Sequence, residues 1–139
     1  MKSLKSLSIK ILALTLFSVI CISCSGASPE LVQYRSELKD QMQEMINVLN
    51  GAHYTEFMEN YVEPSYITKA GGLDQAMLQF GNTKQNQIRK ALQAARNIEP
   101  LFNQNKKVMT YVGNALPIPL TFKQISGKWY LTGDWFENN

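Results

Sequence analysis

The sequence predicts an α+β domain, with N-terminal helices packed on a C-terminal antiparallel β-meander of three to four strands. Three observations carry this. Apolar residues recur at steps of three and four from Leu31 to Leu49, the period of a helix face. After Pro100 the period changes, and "KVMTYV", "IPLTFKQI" and "KWYLTGDWF" are rich in β-branched and aromatic residues. Between the last two runs stands "SGK", a tight-turn signal. Helices first and strands last is the α+β order, with the helices expected on one sheet face.

The first helix is expected to start at Ser28 and Pro29, where a hydroxyl can accept a free helical N–H and proline has the required φ. Leu31, Tyr34, Leu38, Met42, Met45 and Leu49 then form one stripe over about five turns. Asn50-Gly51 is expected to close it with a left-handed cap. In a second helix Tyr54, Phe57, Met58 and Tyr61 share a face, and Pro64 forbids much continuation. Gly71-Gly72 breaks the chain again. Leu73, Met77 and Phe80 predict a short third helix ending near Gly81-Asn82. The fourth runs from about Thr83 to Ile98 with Ile88, Ala91, Leu92 and Ala95 inward, and Pro100 stops it.

Among the strands, "FNQNKKV" predicts a turn near Asn103 to Lys106. Pro117 and Pro119 lack the N–H that a ladder needs, so their strand begins late or lies at an edge. Trp129 and Leu131 share one face of the last strand, Tyr130 and Thr132 the other. One of these sets must pack under the helices.

The chain has 139 residues, enough for one domain, and its 45% hydrophobic and 18% charged residues are an ordinary globular mix. Lys2, Lys5 and Lys10 account for the whole net charge of +3, and no acidic residue precedes Glu30. From Ser25 onward, 11 basic residues face 11 acidic ones, so net charge gives no case for nucleic acid as a partner.

The start reads as an export signal. "MKSLKSLSIK" is basic, the 14 residues Ile9 to Ile22 are almost wholly apolar, and "SCSGAS" is a run of small residues. A membrane-spanning helix needs roughly 20 residues. The only two cysteines, Cys21 and Cys24, stand at the end of this run. "CISC" followed by "SG" resembles the lipobox of bacterial lipoproteins. The resemblance implies that Cys24, preceded by the small Ser23, becomes the first mature residue and carries acyl chains such as palmitate. Residues 1–23 are then the signal peptide, 24–29 the lipidated cysteine and a short tether, and 30–139 one α+β domain. The pattern departs at Cys21, where the family usually has leucine or a similar aliphatic. The alternative is ordinary cleavage after Ala27. Two or more acyl chains hold a protein stably on a bilayer, which one does not. Ser25, in place of an aspartate, implies outer-membrane delivery where the cell has an outer membrane, and otherwise the outer face of the cytoplasmic membrane. The five residues Ser25 to Pro29 span at most about 18 Å, which holds the domain near that surface.

A second resemblance covers most of the mature chain. "YTEFMENYVEPSYITKAGG", a helix, and then "LTFKQISGKWYL" look like small bacterial lipoproteins of the nuclear-transport-factor-like, cystatin-like cone. The resemblance implies helices cradled by a sheet, and enzymes of that superfamily place an acid, a histidine or a tyrosine inside the cone. Asp74, Asp134 and Glu137 do not map onto that arrangement. Asp74 reads more simply as a charge at a helix start, and Asp134 as a polar residue at a strand end.

No other motif carries chemistry. His53, the single histidine, reads as a surface or capping residue, and no metal site is expected. No catalytic residue and no cofactor are expected, with no phosphate-binding loop or nucleophile elbow in the chain. Tyr111, Phe122, Trp129, Tyr130, Trp135 and Phe136 crowd the sheet, as core or as pocket lining. Lys84, Arg89, Lys90 and Arg96 make the one local basic cluster, either a solvated face or a contact for anionic headgroups or an acidic partner. The expectation is a lipid-anchored protein of the cell envelope, in the outer membrane or facing the periplasm, that acts by binding rather than as an enzyme. Its partners are the membrane and an envelope protein. The alternatives are a carrier of a small apolar ligand, with Phe122 and Trp129 lining a pocket between sheet and helices, and a cone-type enzyme.

Overall fold

The computed structural model describes residues 26–137. The expected signal peptide and the lipidation site Cys24 lie outside the described residues.

Helix α1 (Pro29–Asn50) starts as expected: the Ser28 hydroxyl accepts the Leu31 N–H at 3.2 Å, Pro29 fills the first turn, and Glu30 lies at the positive end of the helix dipole. Its stripe buries Leu38, Met42, Met45, Ile46 and Leu49, with Leu31 and Tyr34 partly covered. Its end differs from expectation. Gly51 has φ −78°, an ordinary right-handed value, and the left-handed residue is Ala52 at φ 58°. A Cβ at Gly51 would meet Cδ2 of the largely exposed His53 ring at 2.5 Å, which rotation of that ring relieves; the His53 N–H returns to the Val48 carbonyl at 3.1 Å.

Helix α2 (Tyr54–Tyr61) buries Phe57 and Met58. Pro64 then opens a helix: it is the first residue of α3 (Pro64–Ala70). The break falls at Val62 and Glu63, both extended, because the residue before a proline avoids the helical region. Val62 forms a parallel bridge with Leu131, and the Glu63 N–H donates to the Leu131 carbonyl at 2.9 Å. A left-handed Gly71 at φ 96° ends α3. Helix α4 (Leu73–Gln79) follows as expected. Asn82 begins α5 (Asn82–Ala95), in which Ile88, Ala91, Leu92 and Ala95 are all fully buried.

Strands β1 (Leu101–Asn103), β2 (Val108–Tyr111), β3 (Leu120–Ile125) and β4 (Lys128–Leu131) form an antiparallel meander in chain order. Pro119 immediately precedes β3, which begins late for the reason expected. Phe102, Met109, Phe122 and Leu131 are paired across all four strands and form one row on the helical face. The packed set on β4 is Trp129 and Leu131. Between β3 and β4, Ser126 (φ 51°) and Gly127 (φ 81°) are both left-handed, the geometry of a type I′ hairpin turn. The fold is therefore α+β, with the helices against one sheet face.

Trp135 and Phe136 are not strand residues. β4 stops at Leu131 and the chain turns at Gly133 into the one-turn helix α6 (Asp134–Glu137). The two rings leave the sheet because an aromatic cluster receives them: Phe136 stacks on Tyr66 at 4.3 Å, and Phe80 meets Trp135 at 6.1 Å and Phe136 at 5.8 Å. Lys84 Nζ donates to the Phe136 carbonyl at 2.9 Å and holds this last turn down.

Candidate functional site

Beside the buried stripe of α1 runs a second one at the same spacing: Val32, Arg35, Ser36 and Lys39. It forms one wall of a groove of about 310 Å³. The opposite wall is the end of α5 and the segment after it, through Ala95, Arg96, Ile98 and Pro100. Met42 and Tyr111, both nearly inaccessible, form the floor. Three cationic side chains therefore meet over an apolar base. Arg35 pairs with Glu99, whose side chain is 75% exposed. The Nε of Arg96 is enclosed and finds no acceptor among the protein atoms. Trp129 Nε1, in the core, is in the same condition.

Burial pushes the Tyr111 phenol up to about 12, with Arg35 opposing the rise and Glu99 adding to it. The group thus stays a neutral hydrogen-bond donor across the physiological range. Its folded value lies above the ordinary 10.0, so the unfolded chain gives up this proton first. Stability should fall as pH rises from 10.0 toward 12, and fall less in Tyr111→Phe. Chemical denaturation of both proteins across that window checks this; identical slopes would refute it.

A second cluster stands at the start of α1. Glu30 pairs with Lys107, accepts from the Tyr34 hydroxyl at 2.8 Å and from Gln104 Nε2 at 3.2 Å, while Lys107 sits 5.3 Å over the Tyr34 ring. The Lys107 hydrogen bond, then that of Tyr34, lowers the Glu30 carboxyl below its usual range, and Glu30 raises Lys107 in turn. These contacts tie the first turn of α1 to the β1–β2 turn. Tyr34 also meets Phe102 and Trp129 edge-on, at 5.8 and 5.2 Å.

The structure brings together few of the residues singled out from sequence. Phe122 and Trp129 are core side chains, 0% and 2% exposed, and neither lines the groove. His53 occupies the N-cap position of α2 without capping it, mostly exposed and 4.0 Å from the Glu56 carboxylate. Asp74 lies in the first turn of α4, and Asp134 opens α6 rather than ending a strand. The basic residues of α5 diverge: Lys84 reaches α6, Arg89 bonds Asn86, and Arg96 enters the groove. Among the described residues, no group of three or more His, Cys, Asp or Glu side chains can hold a metal ion. The 32-35-36-39 spacing was the available signal for Arg35 and Lys39; nothing in the sequence joins them to Tyr111.

No protein-family model, curated protein or solved structure matches the chain. Among the described residues no helix is long and apolar enough to cross a membrane.

Proposed function

We propose that this chain is an exported bacterial lipoprotein of the cell envelope, lipidated at Cys24, whose α+β domain acts by binding at the membrane surface. The carrying observation is where folding begins. Ser28 already caps α1, so only Ser25 to Ser28 separate the cysteine from the first helical residue. At most about 14 Å of chain is available there. The cationic groove opens on the first turns of that same helix and is the natural place for a partner. Ser25 favours the outer membrane where there is one. A carrier with an apolar ligand between sheet and helices is less well supported, because Phe122 and Trp129 would have to leave the core to admit it.

Metabolic labelling with an alkyne fatty acid tests the anchor. Wild-type protein should take up the label and yield an acylated N-terminal fragment beginning at Cys24, and Cys24→Ala should lose the label completely. An unlabelled wild-type product beginning at Ser28 would end this reading.

A further inference from the structure

We propose that the tether end of the domain is a headgroup-binding surface, in which the Arg35–Lys39–Arg96 groove receives the phosphate of an anionic lipid and Val32 enters the headgroup boundary. This rests on the anchored reading above and names what the groove binds.

The first support is the placement of exposed apolar residues. Among the described residues, five large hydrophobic side chains are exposed: Val32, Leu78, Leu101, Val112 and Ile125. Scattered exposed residues of this kind are ordinary. One of these five, Val32, lines the groove. Leu101 is one residue out of step with the Phe102–Met109 pair and so faces away from the helices. An exposed apolar side chain at the lip of a cationic centre suits a surface that lies in the interface of a bilayer.

The second support is charge. Arg35, Lys39 and Arg96 meet one carboxylate, Glu99, which is largely exposed and free to swing aside. The Arg35 and Arg96 guanidinium groups that line the groove are suited to pair with phosphate oxygens. The third support is reach. From Ser28 to Lys39, α1 rises only about 16 Å. A chain tethered at Cys24 therefore holds the groove within a short distance of the headgroups of its own bilayer.

The test uses acylated full-length protein, purified from membranes, carrying Asn97→Cys labelled with a polarity-sensitive fluorophore. Asn97 is exposed and adjacent to Arg96. The protein is reconstituted into vesicles of phosphatidylcholine alone, or of phosphatidylcholine with phosphatidylglycerol. The expected result is a blue shift on the anionic vesicles only, reversed by high salt and lost in Lys39→Glu and in Val32→Asp. Circular dichroism verifies that both variants are folded. Every sample should co-sediment with both vesicle types through its acyl chains, so failure to sediment indicts the anchor rather than the groove. Co-sedimentation with equal emission on the two vesicle types overturns the proposal. So does a shift that depends on protein concentration, which marks a second copy. A shift with glycerol phosphate in detergent but none on anionic vesicles marks a soluble ligand and also overturns it.

Discussion

Phe80→Ala is expected to destabilise the domain by about 3–5 kcal/mol, the range for truncating a buried aromatic side chain. Phe80 is 1% exposed at the end of α4 and joins three helices through its ring. It stacks on Phe57 of α2 at 5.5 Å, meets Tyr54 edge-on at 6.1 Å, and receives both aromatic residues of α6. Alanine leaves a cavity that these rings cannot all fill, since each is held by its own helix. Natural domains are stable by only about 5–15 kcal/mol, so the variant should be marginal. Urea denaturation measures the loss, and near-ultraviolet circular dichroism should report Trp135 and Phe136 released from their packing. Leu78→Ala is the control: that side chain, two residues before Phe80, is 77% exposed and should change stability by less than about 0.5 kcal/mol. Equal effects of the two substitutions would show that the aromatic cluster does not hold α6.

Gly133→Ala is the second large effect, and its cause is crowding. A Cβ at Gly133 would lie 2.9 Å from both Cβ and Cδ2 of Tyr66. Tyr66 Cβ is attached directly to the α3 backbone, so relief requires the helix or the β4–α6 corner to shift. That corner is tightly held: the Gly133 N–H donates to Glu63 Oε1 at 2.7 Å, and its carbonyl accepts the Phe136 N–H at 2.8 Å. Overpacking of this kind costs about 1–3 kcal/mol. Moving the corner also endangers the charge-assisted bond to Glu63. A thermal midpoint equal to that of the wild type would show that the corner yields freely.

The parts of this fold that were legible in the sequence are those whose signal is local. α1 and α5 announce themselves because each presents a long apolar stripe, and the β3–β4 hairpin because "SGK" can adopt the left-handed turn. α3 was not legible. Pro64 stops one helix and starts another, and the extended Val62 between them is fixed by pairing with β4, far along the chain. α6 was hidden for the opposite reason: Trp135 and Phe136 favour strands intrinsically, and packing against Phe80 and Tyr66 overrides that preference. The groove was half visible. Arg96 stood out within a basic run, whereas Arg35 and Tyr111 join it only through tertiary folding.

The Val62–Leu131 bridge has a consequence for association between chains. A meander exposes two border strands, and an unpaired border is a template on which another polypeptide can add itself. Here one border is occupied by the α2–α3 linker, whose Val62 and Glu63 engage β4 at Leu131. The other is β1, only three residues long. Neither side offers a long free ladder for fibril growth.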